Sequence, residues 1–448
     1  MISNYNTYDV AVMNYPLFNQ KLNIDEYRMK MFQETETDHY KVPVYIHIPF
    51  CENICDFCIY NRIQANKNSE LVEEYVKMLI KEIELYAEQS SVKKLEFGSV
   101  FFGGGTPTVL SESQLERVIT KLKRCLNIEG CEMTVECNIS NASESKLRLL
   151  RQLGVTRVST GIQTFQDELR RKLHISGSSE ELIEWVERAQ GLGFQEVSGD
   201  LLYGFPDATL SMWKKDLEQS VKLSLNHISL YKLAVFANSI LYHSISKYHY
   251  TVLKPDEIQE MFEVAHSFLL DCGYEQQSTQ EYGRLGSKTE FWENTYDGYG
   301  ANISMGTGSF GYLNGYCYQN AMSVKEYISI LKEGKLPITR ISEKSTPIQL
   351  MERTIVMGFR RGYVEKNAFY QEFHKEIKEV FPEVLTQLIK EGYVAEEASR
   401  YVLTTKGIYR QGDVSAEFMI SIFEGTSALT KKYCVGIHEM PHHVKKRG

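Results

Sequence analysis

The chain of 448 residues is too long for one compact domain of ordinary size and fits a barrel-sized domain joined to a smaller one. With 43% hydrophobic and 24% charged residues it has the composition of a globular protein with a sizeable core. A net charge of −8 argues against nucleic acid as the main partner, which needs a basic footprint.

No apolar run reaches the length of a membrane span, and the opening "MISNYNTYDV" lacks the basic-then-apolar plan of a signal peptide. A cytoplasmic protein with no membrane partner is expected. Thiols stay reduced there, so clustered cysteines read as ligands and not as disulfides.

In chain order, residues 1–40 read as an N-terminal extension. From "VPVYIHI" onward, short β-branched runs alternate with amphipathic helical stretches. "SELVEEYVKMLIKEIELYAEQ" carries Val72, Tyr75, Val76, Leu79, Ile83 and Tyr86 at helical spacing. "LEFGSVFFGG", "EMTVECN", "RVSTGIQ", "EVSGDLLYG" and "HISLYKLA" follow as strands, each separated from the next by a helical stretch. Six strand–helix units in succession predict an α/β fold, a partial (β/α)6 barrel over 41–240, whose functional groups sit at the C-terminal strand ends.

Residues 241–344 read as a barrel-completing and substrate-cavity region. "PDEIQEMFEVAHSFLLDCGY" is a helix entered through Pro255, and the stretch from "FWENTYDGYG" to "GYCYQN" reads as strand and loop. Residues 345–448 form a C-terminal, mainly helical, winged-helix-like domain with a basic tail. A packing or lid role suits that domain better than nucleic-acid binding, given the acidic balance. His438, His442 and His443 in the tail are a weak metal-site candidate beside the simpler reading of a solvated tail. The 28 tyrosines serve core packing, with a cavity for a flat, aromatic substrate as the sharper alternative.

Cys51, Cys55 and Cys58 stand within eight positions directly after the first strand; the other six cysteines are scattered. Three soft thiolates can hold three irons of a 4Fe–4S cube and leave the fourth iron open. The alternative, a zinc site completed by His47, lacks a closing Cys or His pair at the usual spacing.

The spacing, with Phe57 before the last cysteine, resembles the radical S-adenosylmethionine (SAM) signature. With "FFGGGTPT", "GIQTF" and "DLLYGFP" it resembles the oxygen-independent coproporphyrinogen III oxidase superfamily, over about residues 41–240 and more weakly through "MGTGSFGY" and "VLTTKG". That resemblance implies a 4Fe–4S cluster on Cys51, Cys55 and Cys58, with SAM bound at its open iron and cleaved to a 5′-deoxyadenosyl radical. It further implies SAM contacts from Tyr45, Phe57, the turn Gly103, Gly104, Gly105 and Thr106, then Glu136, Gln163, Asp200 and Lys232. Family members commonly carry an arginine twelve residues after that glutamine, to pair with the methionine carboxylate. Here the position is Ile175, with Arg170, Arg171, Lys172 and His174 just before it.

The resemblance implies a small-molecule substrate and a reductant such as flavodoxin or ferredoxin; a monomer is expected. Tyr60 stands where many oxidases carry a further cysteine, and with Glu136 it is the catalytic candidate. The cavity segments differ from those of the tetrapyrrole enzymes, so the expected reaction is of the class C methyltransferase type. There a second SAM molecule gives a one-carbon unit to an sp2 carbon. The alternatives are a coproporphyrinogen III oxidase or other tetrapyrrole-modifying enzyme, and a heme-binding chaperone. The chaperone group carries a His-Asn-x-x-Tyr-Trp motif where this chain has "SKTEFW", with Ser287 in place of the presumed axial histidine.

Overall fold

Apolar residues recur at nearly every second position of the six predicted strands, and this period of two decides which face of the sheet is greasy. The strands are β1 (Val42–Ile48), β2 (Phe97–Gly104), β3 (Glu132–Cys137), β4 (Arg157–Gln163), β5 (Glu196–Tyr203) and β6 (His227–Lys232). They lie side by side in chain order, all parallel. Val44, Ile46, Val100, Phe102, Val135, Val158, Val197 and Ile228 are buried on one face, the face that crossover helices cover in a parallel sheet. The alternate residues are polar or aromatic: Tyr45, His47, Phe101, Glu136, Ser159, Asp200, Ser229 and Tyr231 share the opposite face. The barrel therefore has a polar lumen, which an ordinary packed barrel core lacks.

The computed structural model describes residues 18, 22–33, 40–58, 60–235, 239–297 and 300–423. Most of the N-terminal extension and the histidine-bearing tail lie outside these residues. The chain divides into two compact units, whose described residues run from 18 to 344 and from 345 to 423. Among the described residues no helix is long and apolar enough to cross a membrane.

In the larger unit, residues 241–344 add strands at both edges of the sheet. β8 (Glu281–Arg284) attaches antiparallel to β6 through Glu281↔Ser229, β7 (Tyr274–Gln276) pairs antiparallel with β8 at the edge, and β9 (Ile303–Met305) runs parallel to β1. Glu290–Asp297 is a helix, where the sequence reads as strand and loop. It is short, and Phe291, Thr295 and Tyr296 bury one side of it while Glu290 and Glu293 favour its N-terminal end. Two turns are too few for helical periodicity to stand out.

The helix Glu70–Glu88 buries the six apolar positions its spacing predicts, together with Glu82. Capping boxes of Ser111 with Gln114 and of Ser178 with Glu181 start the helices Glu112–Cys125 and Ser179–Gly191.

In the smaller unit, the helix Pro347–Arg361 starts at the Thr346 cap and stops at Gly362, which has φ of 107°. Three antiparallel strands follow in the order Tyr363–Glu365, Arg400–Leu403, Val394–Glu396. Helices pack on them through Ile355, Phe359, Phe369, Leu385 and Phe418. This is the mainly helical, winged-helix-like arrangement expected.

Candidate cluster and cofactor site

The cysteine loop leaves the C-terminal end of β1 and is pinned at its start by a two-rung parallel ladder, Phe50↔Ile63 and Cys51↔Gln64. The amide of Ile63 donates to Pro49 O at 2.7 Å and that of Ala65 to Cys51 O at 3.0 Å. Farther along, the Cys58 amide closes a turn on Cys55 O at 3.2 Å. The buried carboxylate of Asp56 lies 2.8 Å from His174 Nδ1 and accepts from Ser244 Oγ at 3.5 Å, which fixes the loop to distant segments.

Cys51, Cys55 and Cys58 are free thiols. Burial pushes all three upward in pKa, Cys55 to about 12 with help from the Cys58 and Cys51 charges, so a bound metal group must itself favour the thiolate form.

His47 does not complete a zinc site. Its Nδ1 lies 3.1 Å from Tyr45 OH and its Nε2 3.3 Å from Asn61 O, and burial lowers its pKa to about 4. Among the described residues no three His, Cys, Asp or Glu side chains converge on a single ion. Three thiols on one loop, each free to take a separate iron, fit a cluster.

The turn after β2 joins the loop to the carboxylates. Gly104, at φ of 111°, donates its amide to Glu136 Oε2 at 3.1 Å. A Cβ on Gly104 would sit 2.5 Å from the His47 ring, and one on Gly103 would sit 2.9 Å from Glu136 Oε2. Gly105 donates to Ile48 O at 2.8 Å, and a Cβ there would meet Phe50 O at 2.7 Å. Only glycine fits this cradle. Thr106 then donates from Oγ1 to Cys51 Sγ at 3.5 Å.

Glu136 ends β3. Burial, then the nearby Asp200 charge, raises its pKa to about 8, against the opposing Gly104 amide. Asp200 on β5 is raised to about 7 by burial and by the Glu281 charge, while Ser229, Arg157 and Ser159 act the other way. Gln163 has φ of 63° at a bulge between β4 and β5, and its buried Oε1 has no hydrogen-bond partner. An unpaired buried acceptor is costly and marks a place where a ligand donor fits. Tyr45 stacks on Phe101 with ring centroids 6.1 Å apart, and Phe57 meets Phe205 edge-on at 5.8 Å. Lys232 ends β6 beside Tyr203. Tyr60 lies beyond the last cysteine and is 65% exposed.

Arg170, Lys172 and His174, three of the four basic residues before Ile175, are engaged elsewhere. The buried guanidinium of Arg170 donates to the carbonyls of Ile162, Thr164, Gly177 and Ser176. Lys172 pairs with Asp207 at 2.5 Å, His174 faces Asp56, and Ile175 itself is buried. Arg170 is thus a structural clamp on the β4 turn.

Two residues of the site, Glu281 and Tyr231, escape sequence reading. Glu281 accepts from Ser229 Oγ at 3.0 Å and Tyr231 OH at 3.3 Å, adding a carboxyl behind Asp200. Its short strand carries too little alternation to single it out. Tyr231 is legible only as one of many tyrosines. At the other end of the lumen, Arg157 donates to Thr289 Oγ1 and Ser287 Oγ donates to Glu196.

The thiols, the glycine cradle and the unpaired Gln163 acceptor fit a 4Fe–4S cluster with SAM beside it. The family model of the radical SAM superfamily matches residues 45–219, and that of the HemN C-terminal domain matches 345–410. The chain is 30% identical to the heme chaperone HemW of Bacillus subtilis over 383 residues, covering 84% of this chain and 98% of that protein. It is 29% identical to the anaerobilin synthase of Escherichia coli O157:H7, covering 72% of each chain. It is 25% identical to the oxygen-independent coproporphyrinogen III oxidase of Pseudomonas aeruginosa over 384 residues, covering 81% of this chain and 82% of that one. The solved structure of coproporphyrinogen III oxidase (HemN) from Escherichia coli superposes with a TM-score of 0.78 at 20% identity, covering 93% of this chain and 99% of that one.

Proposed function

Because the chain belongs to the oxygen-independent coproporphyrinogen III oxidase-like family of the radical SAM superfamily, we propose that it is a radical enzyme acting on a tetrapyrrole. The observation that carries the radical chemistry is the turn 103–106, which touches the cofactor carboxylate Glu136 through Gly104 and the cluster ligand Cys51 through Thr106. The substrate class rests on the similar proteins, named for heme, anaerobilin and coproporphyrinogen.

When bound, the cluster supplies the electron that cleaves SAM to a 5′-deoxyadenosyl radical. The chain's own residues bind and orient. Cys51, Cys55 and Cys58 hold the cluster. Glu136, Gln163 and Asp200 present acceptors to the ammonium and hydroxyl donors of SAM, and the cofactor's positive charge draws Glu136 and Asp200 toward their ionised forms. The carboxyl-rich lumen repels anionic groups, so the acidic side chains of a tetrapyrrole stay outside it.

Methyl transfer from a second SAM molecule, the reaction expected from the cavity segments, has no counterpart in the names of the similar proteins described above. It stays as a distinct outcome of the assay. Heme carriage is the second reading, favoured by the likeness to HemW. Against it stands Ser287, buried and bonded to Glu196 where that group carries its histidine.

The test is anaerobic incubation of the reconstituted protein with dithionite, SAM and either coproporphyrinogen III or heme, followed by mass spectrometry. Formation of 5′-deoxyadenosine in step with consumption of either tetrapyrrole supports the proposal. Release of carbon dioxide from coproporphyrinogen identifies the oxidase. S-adenosylhomocysteine with a gain of substrate mass identifies alkyl transfer. Stoichiometric heme retention with no turnover overturns the proposal in favour of the chaperone.

A further inference from the structure

The helix Ile240–Tyr248 is tied by its first turns to the cysteine loop. The Leu241 amide donates to Asp56 O at 2.9 Å, and Ser244 Oγ donates to the Asp56 carboxylate at 3.5 Å. Asp56 stands between Cys55 and Cys58, so the helix lies one hydrogen bond from the backbone that joins them. Leu241 and Ser244 are buried, whereas Ile240, His243 and Lys247, spaced three and four apart, share the outer, exposed face.

Ile240 is 48% exposed and Tyr248 53%, large side chains that the fold leaves uncovered. Lys247 Nζ lies 4.8 Å from the Tyr248 ring centre, and Tyr248 stacks on Tyr250 at 5.7 Å. Lys172 Nζ lies 4.8 Å from the Tyr250 ring in turn. Rings and cations thus make one continuous surface.

The charge of this surface departs from that of the whole chain. The chain carries 58 acidic residues and a net charge of −8, yet residues 219–255 contain no Asp or Glu. Asp56 and Asp207, the carboxylates that these contacts bring close, are occupied. Asp56 is buried against His174 and Ser244, and Asp207 pairs with Lys172. Exposed cations and exposed apolar area coincide over the cysteine loop, the make-up of an interface with an apolar centre and a charged rim.

We infer that this face, built on Ile240, Lys247 and Tyr248, docks an acidic one-electron donor protein of the flavodoxin kind. Each cleavage of SAM consumes one electron. The donor supplies it: its flavin is oxidised by one electron and the cluster is reduced by one. A chain of net charge −8 repels an acidic donor over most of its surface and draws it to a patch without carboxylates. Docked there, the donor delivers its electron beside the backbone between Cys55 and Cys58. Electron-transfer encounters use small interfaces, so a helix of nine residues and its neighbours suffice.

Dithionite, a small ion, needs no docking face, so the choice of reductant separates this inference from the cluster reading on which it rests. The full chain and its Lys247→Glu and Lys94→Glu variants are reconstituted anaerobically. Formation of 5′-deoxyadenosine from SAM is followed with dithionite, and with purified reduced flavodoxin at several salt concentrations. Lys94 is exposed just before β2, at the end of the sheet away from the cysteine loop. Failure of the unsubstituted protein with dithionite defeats the cluster reading itself.

With dithionite activity present, flavodoxin should drive the reaction at a rate that falls as salt rises. K247E should slow the flavodoxin-driven rate roughly tenfold at low salt and flatten its salt dependence. Its dithionite-driven rate should stay unchanged, and K94E should match the parent with both reductants. No turnover with flavodoxin, or a flavodoxin-driven rate unmoved in K247E, overturns the inference, as does an equal loss in K94E. Should K247E lose both rates, Ile240→Ser decides: a loss with flavodoxin alone supports the docking face, and any other result overturns it.

Discussion

Gly104 gives its backbone N–H to Glu136 Oε2 at 3.1 Å while its Cα faces the ring of His47. One residue in a left-handed conformation thereby joins the ends of β1, β2 and β3. Gly104→Ala adds the left-handed penalty to a clash with a ring held at both nitrogens. It should cost about 2–5 kcal/mol and abolish SAM binding. Gly130 also has positive φ, at 77°, but a Cβ there meets nothing within 4 Å. Gly130→Ala should cost about 1 kcal/mol and leave SAM binding intact. Denaturant titration and equilibrium dialysis with SAM check both variants.

Cys51→Ala, Cys55→Ala and Cys58→Ala should each lose most of the bound iron and all 5′-deoxyadenosine formation. Cys137 is equally reduced but buried in the core face of β3, away from the loop. Cys137→Ala should keep its iron. Iron and sulfide analysis after anaerobic reconstitution reads the difference, and full iron retention in any of the first three would remove that residue from the ligand set.

Glu82 is a fully buried carboxyl that ties the helix Glu70–Glu88 to the glycine-rich stretch after β9. It accepts from the Gly306 amide at 2.8 Å, Tyr327 OH at 2.5 Å and Asn320 Nδ2 at 2.6 Å. Burial outweighs these donors and lifts its pKa from 4.5 to about 7. The folded state therefore keeps a proton that the unfolded state loses, and stability from this group falls as pH rises from about 4.5 through about 7. Glu82→Gln should flatten that part of the stability–pH curve. Glu82→Ala should cost about 2–5 kcal/mol, because the Gly306 amide and the Tyr327 hydroxyl lose their acceptor. Denaturant unfolding at several pH values between 5 and 8 tests the slope.

Ser287→His restores the residue type that the chaperone group carries, yet the position lies buried against Glu196. The larger ring should overpack the site by about 1–3 kcal/mol and should not create heme binding. Heme titration followed in the Soret region is the check. Tight heme binding by the variant would mean that the position is reachable from the mouth.

Much of this protein was legible in the sequence, for local reasons. Strand alternation and helical spacing are properties of neighbouring residues, so the order of six strand–helix units and the bounds of Val42–Ile48 followed from them. The cysteine spacing is equally local, following directly on the end of β1, whereas Glu136, Gln163 and Asp200, which lie within β3, β4 and β5, are singled out by the family resemblance.

The tertiary structure decided the rest, through partners far apart in the chain. Arg170 became a clamp because four carbonyls surround it, and His47 stays neutral because burial denies it charge. Glu281 joined the site by pairing with Ser229, 52 residues away. Gln64 came to lie beside Cys51 through a ladder only two rungs long. Desolvation and Coulomb interaction depend on which segments share a space, and residue types and spacing alone do not specify that.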